Sequence, residues 1–186
     1  NDELAAQIVS GGVLRWAGAN SFDSATAIND GAWHHVAFIA SGTDSYIYID
    51  GSLDATGGDK TQGSSNTNNF YIGGRTTSFN LAGNLDEISI FNSAKAIGDL
   101  WNGTGKPTNL SGESGLIAWY RCGDSGTFFN GNWEIPSQPQ IDNWSSHSFN
   151  FDGTDDKIDI SSSAISGDIT LSAWINSNGT YTAWQD

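Results

Sequence analysis

The chain has 186 residues, a formal net charge of −14 and a pI of about 4.1. So acidic a protein repels nucleic acid and anionic membrane surfaces at long range, and its 7 Lys and Arg residues argue against a basic recognition groove. The length allows one domain with a substantial core, and no stretch approaches the roughly 18 apolar residues of a membrane-spanning helix, so we expect neither a nucleic-acid partner nor membrane insertion.

The composition is typical of an all-β protein, with 23 Gly, 12% aromatic residues and 3 Pro. In chain order, the predicted strands are residues 7–9, 13–16, 25–28, 36–39, 46–49, 52–56, 70–74, 85–91, 116–120, 148–151, 157–160 and 169–175. The clearest signal is a β-hairpin within residues 32–51, where two apolar and aromatic runs flank five turn residues. An apolar sheet face needs a second sheet to cover it, so we predict an antiparallel two-sheet sandwich.

The remaining segments are predicted to connect these strands. One short helix is expected at residues 92–101, with Ser93 as its N-cap. Residues 102–114 have the composition of a linker, and residues 127–147 that of a loop. Cys122 is the single cysteine, which excludes an internal disulfide and a thiolate metal cluster, and we expect it to be a small buried residue.

Several of these segments form a specific combination. They are AWHHVAFIASGTDSYIYIDG (32–51), FYIGG (70–74), GNLDEISIFNSA (83–94), FNFDGTDDKIDI (149–160) and ITLSAWI (169–175). Together they resemble the laminin G-like, or concanavalin A-like lectin/glucanase, jelly-roll domain in its microbial and viral form. The resemblance implies an all-β, two-sheet antiparallel jelly-roll sandwich. It also implies either an endoglucanase or a pure binding module, because the fold hosts both.

The order of the segments differs from that of the family. Residues 1–101 resemble the C-terminal half of such a sandwich and residues 115–186 its N-terminal half, with the linker 102–114 between them. This is the order of a circular permutant, of a piece cut inside a domain, or of a chain that lacks segments. Each half alone would expose strand edges. We therefore expect the two halves to complete one domain, the alternative being that a neighbouring subunit supplies the missing half.

Enzyme activity is not expected. Glycoside hydrolysis needs two carboxyl groups that face each other across one cleft, and the resemblance implies acids at alternate positions of one strand. On the corresponding strand Asp86 and Glu87 are adjacent and should point to opposite faces. Ile88 and Ile90 stand where further acids would be needed. We expect one of the two acids to cap a neighbouring loop and the other to be solvated.

Two groups of residues could hold a metal. His34 and His35 are adjacent and diverge on a strand, and no acid is spaced to complete a site, so we expect one at the sheet surface and the other in solvent. Calcium is the one cofactor to consider, with its oxygen ligands drawn from Asn150, Asp152, Asp155 and Asp156. The same segment is equally a good turn, in which Asp and Gly serve the backbone.

The eight tryptophans divide by context. Trp33, Trp119 and Trp174 lie in apolar strand patterns and are predicted core residues. Three further tryptophans lie in or beside loops, where an indole could stack on a sugar or pack against a partner protein. These candidate contact residues are Trp133, Trp144 and Trp184.

The function expected from these observations is that of a non-enzymatic binding or assembly module. It would belong to an extracellular or virion surface protein, such as a phage fibre, a capsid decoration or an adhesin. Its partners would be glycans or neighbouring protein subunits, with assembly into a homo-oligomer or particle. The alternative is a carbohydrate-binding module of a secreted glycoside hydrolase.

Overall fold

A computed structural model describes residues 5–18, 20–60, 70–74, 80–121, 127–129, 132–134, 148–160 and 167–179, and for residues 127–129, 132–134 and 160 it describes the backbone. The strands are β1 Ala5–Ile8, β2 Val13–Ala17, β3 Phe22–Ala27, β4 Trp33–Ser41, β5 Asp44–Ile49, β6 Ser52–Gly58, β7 Phe70–Ile72, β8 Ala82–Phe91, β9 Leu116–Tyr120, β10 Thr127–Phe129, β11 Asn132–Glu134, β12 Phe149–Asp152, β13 Ile158–Ile160 and β14 Ile169–Ser177. The helix α1 is Ile97–Leu100, and none of the described helices is long and apolar enough to cross a membrane.

The largest sheet has seven antiparallel strands. Its order is β12-β8-β14-β4-β5-β6, and β9 pairs with the second part of β8. The central strand β14 lies between β4 and β8, although both of these strands precede it by many residues in the chain. Four strands after residue 114 (β9, β12, β13 and β14) are thus hydrogen-bonded directly to strands of the first hundred residues. The assignment of these two parts as halves of one family domain stays a prediction.

A second layer covers one face of this sheet. It contains the three-stranded sheet β1-β2-β3 and the pair β13-β7. Trp16 of β2 is fully buried, and its ring meets that of Phe38 on β4 edge to face, with centroids 5.5 Å apart. Leu14 and Ile28 join the same core from this layer, and Ile47 joins it from the large sheet. The predicted fold class, an antiparallel two-sheet sandwich, is confirmed.

We call the opposite face of the seven-stranded sheet the outer face, and part of it is covered by residues 92–114. Leu100 of α1 and Leu110 are buried there against Ala37, Ile39 and Phe91. A salt bridge of 2.6 Å between Lys95 Nζ and Glu113 Oε2 joins the two ends of this covering segment. The rest of the outer face carries the polar and aromatic groups described below.

Two predicted elements differ from the structure. The helix is shorter than predicted and begins at Ile97. The residues before it are extended because the Thr170 hydroxyl bonds them. Its Oγ1 donates to the carbonyl of Ser93 and accepts from the amide of Lys95. The predicted loop 127–147 contains the hairpin β10-β11. The sequence between these two strands is Asn130-Gly131, a pair that favours a two-residue hairpin turn.

Candidate functional site

A β-bulge shapes the acidic part of the outer face. Trp174 of β14 pairs with Asp86, and Ser172 pairs with Ser89, so two residues of β8 stand opposite one residue of β14. Glu87 is the extra residue, and its φ of 50° lies in the left-handed region, which is costly for a residue with a β-carbon. Adjacent side chains on a regular strand point to opposite faces. Because of the bulge, the side chains of Asp86 and Glu87 both point to the outer face.

Glu87 is buried and bonded to Trp119 of β9 and to Arg121, which follows this strand. Trp119 Nε1 donates to Glu87 Oε2 at 2.6 Å, and Arg121 Nε donates to Oε1 at 3.3 Å. Burial raises the pKa of Glu87 to about 7, and the charge of Arg121 opposes that rise. The Arg121 guanidinium also lies over the Trp119 ring, 4.7 Å from its centroid. The expectation that one acid of this pair is solvated was wrong, since Glu87 is 4% exposed and Asp86 is 8% exposed.

His35 lies under an aromatic cover. It is 2% exposed, its Nε2 is 2.8 Å from Ser172 Oγ, and its ring packs against Trp101 and Trp174 at centroid distances of 5.4 and 5.7 Å. Burial lowers the pKa of His35 to about 4, against the opposing charge of Asp50. The imidazole is therefore neutral at neutral pH. One histidine was expected to pack at the sheet surface, and His35 packs there. The expectation that the other faces solvent was wrong, because His34 is held by two carboxylates.

His34 joins two turns at one end of the sheet. Its Nδ1 is 2.8 Å from Asp50 Oδ2 and its Nε2 is 3.2 Å from Asp30 Oδ1. Burial alone would lower the pKa of His34, but the hydrogen bonds and charges of Asp50 and Asp30 outweigh it, so the pKa is raised. When protonated, the ring donates to both carboxylates at once. It then connects the turn before β4 to the turn between β5 and β6.

This arrangement predicts a pH-dependent contribution to stability. Because the folded pKa of His34 lies above the unfolded value of about 6.5, the contribution is fully present below that pH and is lost as the pH rises through the folded pKa. We expect His34→Gln to lower the melting temperature more at pH 5.5 than at pH 8.5, as measured by thermal unfolding of both proteins. A deficit that is equal at both pH values would contradict a role for the imidazolium.

The predicted calcium ligands are brought together only in part. The carboxylates of Asp152, Asp155 and Asp156 are exposed, and their oxygens lie within 4.8 Å of one another. Two of them already serve the turn: Asp152 Oδ1 accepts from the Thr154 amide, and Asp156 Oδ2 accepts from the Asp152 amide. Asn150 donates instead to Asn84 Oδ1, at 2.9 Å. The Asp155 carboxylate and the second oxygens of Asp152 and Asp156 remain as candidate ligands, and calcium binding stays a prediction.

Comparison with known families identifies the chain. A family model described as the concanavalin A-like lectin/glucanases superfamily matches residues 2–96, about half of the sequence. The chain belongs to this superfamily. Membership supports a carbohydrate-binding or structural module in general. Neither a curated protein nor a solved structure matches the chain.

The candidate contact residues of this lectin/glucanase domain remain untested. Trp133 lies on β11, whose backbone is described, while Trp144, Trp184 and Cys122 lie outside the described residues. Of the predicted core tryptophans, Trp174 is buried, as expected, and Trp119 is half-buried through its bond to Glu87.

Sequence reasoning missed Trp33. It was predicted to be a core residue, but it is 43% exposed at the first position of β4. The turn residues Asn29-Asp30-Gly31 precede it, separated from it by Ala32, and two histidines follow it. This polar context is the signal that Trp33 lies at the end of a strand of the superfamily domain rather than in its core.

Proposed function

We propose that the chain is a non-enzymatic binding or assembly module of an extracellular or virion surface protein, such as a phage fibre, a capsid decoration or an adhesin. It contacts glycans or neighbouring protein subunits. Superfamily membership supports this general class of function. The net charge of −14 favours uncharged or protein partners over nucleic acid and anionic membranes.

The observation that carries the non-enzymatic part is the state of the acids on β8. A glycosidase needs one carboxyl group that protonates the leaving group and a second that attacks the sugar or activates water, both open to one cleft. Both oxygens of Glu87 accept hydrogen bonds, one from Trp119 of β9 and one from Arg121 just after it, and Asp86 Oδ1 accepts from the amide of Glu87. Both side chains are buried. Their hydrogen bonds stabilise the bulge, which leaves a binding or assembly role as the better-supported function.

The carbohydrate-binding module of a secreted glycoside hydrolase is the second candidate. It is favoured by an exposed indole, that of Trp33, on a regular strand of the large sheet. An aromatic face of this kind offers apolar contact area with little conformational entropy to lose. A catalytic domain encoded beside this module would favour this candidate, whereas neighbouring fibre-like or capsid-like segments would favour the first.

The proposal is tested on the 186-residue chain by light scattering after size-exclusion chromatography and by a glycan array. We expect a stable monomer that binds glycans, or a discrete oligomer or polymer. The double variant Trp133→Ala/Trp144→Ala should weaken that glycan or subunit binding about tenfold or more, with an unchanged melting temperature. The matched control is Ile117→Ala, which removes an exposed apolar side chain on β9.

Each other outcome has a defined meaning. A monomer that binds no glycan would overturn the proposed function. New reducing ends released from any array glycan would overturn its non-enzymatic part. A folded double variant that binds like the wild type would remove Trp133 and Trp144 as contact residues and leave the proposed function in place.

A further inference from the structure

Four side chains form one row across the large sheet. In the strand register, Trp33 of β4 stands opposite Asn176 of β14, Asn176 stands opposite Asn84 of β8, and Asn84 stands opposite Asn150 of β12. Directly opposed residues of antiparallel strands point to the same face. We call these four residues the Trp–Asn row. It crosses three interstrand spacings, or roughly 14 Å.

The Trp–Asn row is accessible. Trp33 is 43% exposed, Asn150 is exposed, and the two residues between them are partly exposed. It lies on the same face as His35 and Trp174. These residues are two positions from Trp33 on β4 and from Asn176 on β14, and they are covered by Trp101. The row therefore begins where the cover of the outer face ends.

The amides of the row retain unused hydrogen-bonding capacity. Asn150 Nδ2 donates to Asn84 Oδ1, and Asn176 Nδ2 donates to the carbonyl of Gly31. Among the described residues, Asn84 Nδ2, Asn150 Oδ1 and Asn176 Oδ1 have no partner. The row thus offers donors and acceptors side by side, next to an indole.

The backbone holds this array in place. β14 and β8 are interior strands of the sheet, and the amide of Gly31 donates to the carbonyl of Ser177, which fixes the turn that leads into Trp33. The Asn176 and Asn150 side chains are oriented by the bonds given above. Groups that are held in position before binding lose little entropy when a ligand arrives.

The chemistry of the row selects one class of ligand. Its side chains are neutral, and sugar hydroxyls both donate and accept hydrogen bonds, so they match a mixed set of amide groups. The apolar face of a pyranose ring matches an indole. Close to Asn150, at the end of β12 and in the turn that follows it, lies the exposed cluster Asp152, Asp155 and Asp156, which repels an anion.

We propose that the Trp–Asn row is a glycan contact site, separate from the loop tryptophans, and that it binds a short neutral oligosaccharide lying across the strands. The Trp33 indole stacks on a sugar ring at one end, and the three amides bond hydroxyls along the remainder. This inference rests on the glycan branch of the proposed function. A four-residue row is too small for a stable subunit interface, which needs about 800 Å² on each partner.

The experiment is calorimetric titration of the full chain with neutral laminari-, cello-, xylo- and malto-oligosaccharides and with anionic oligogalacturonates. We expect one neutral series to bind, with an affinity that changes less than about twofold between low and high salt. Trp33→Ala should weaken that binding at least about tenfold, and Asn84→Ala by about three- to tenfold. Ile117→Ala, which removes a side chain of similar exposure on β9, should bind like the wild type. The melting temperature of each variant checks the fold.

The contrary results separate this inference from the proposed function. A neutral sugar that binds folded Trp33→Ala and Asn84→Ala as tightly as the wild type would overturn the site and leave a glycan-binding module. Binding of the oligogalacturonates alone would overturn the ligand class. If no oligosaccharide binds and the chain forms a discrete oligomer, the inference fails and the assembly branch of the proposed function stands. If no oligosaccharide binds and the chain is a monomer, both fail.

Discussion

A fragment of residues 1–101 is expected to lack the cooperative unfolding transition of the full chain. Without β14, the strands β4 and β8 have no neighbour on their facing edges, and Ile169 and Ile175 are missing from the core. The loss should approach the whole stability of such a domain, about 5–15 kcal/mol. Residues 102–186 alone should also be unfolded. An equimolar mixture of the two fragments should regain the thermal transition and the near-ultraviolet circular dichroism of the intact chain.

The intact 186-residue chain is the reference in that experiment, and light scattering reports the mass of each species. A folded, monomeric fragment 1–101 would contradict the prediction that the two parts complete one domain. A folded dimer of that fragment would instead favour the alternative in which a second copy supplies the missing strands.

Glu87→Ala is expected to destabilise the protein by about 1–3 kcal/mol. The substitution leaves the guanidinium of Arg121 without this carboxylate and the indole N–H of Trp119 without its acceptor, and both groups are partly buried. It also keeps a residue with a β-carbon at a φ of 50°. Chemical denaturation at pH 7 measures the free energy of unfolding, and an Ala variant as stable as the wild type would contradict an anchoring role for this carboxylate.

Glu87→Gln is the matched variant, because its amide oxygen can still accept from Trp119. We expect it to lose less stability than Glu87→Ala at pH 7. The folded pKa of Glu87, about 7, lies above its ordinary value of 4.5, so the wild type loses stability as the pH rises between these values. The Gln variant does not titrate there, and its stability should therefore improve relative to the wild type as the pH rises through this interval.

The sequence contained enough information to predict most of the strands and the fold class. Alternating apolar residues and turn pairs mark local structure, which is why the hairpin β4-β5 was predicted within a few residues of its bounds. Superfamily membership was predicted from motifs and confirmed by the family comparison. These signals depend on short stretches of chain, and no distant contact is needed to recognise them.

The site was harder to predict, because its geometry depends on long-range pairing. The opposite orientation expected for Asp86 and Glu87 assumed a regular strand, and a bulge beside β14 overrides it. Asn84, Asn150 and Asn176 lie far apart in the sequence, and only the strand register aligns them. The exposure of Trp33 depends on where the cover of the outer face stops, and the polar residues that flank it in the sequence are its local signal.

The central position of β14 has a consequence for biosynthesis. His35 bonds to Ser172, 137 residues further along the chain, so the middle of the sheet cannot close until the ribosome has released almost all of the segment described here. Until then the edges of β4 and β8 that face β14 are unpaired. Unpaired edges can pair with strands of other nascent chains, which leads to aggregation. Topologies with contacts this distant fold in milliseconds to seconds rather than microseconds. Yield in a heterologous host should therefore depend on temperature and chaperone supply more than on the stability of the finished sandwich.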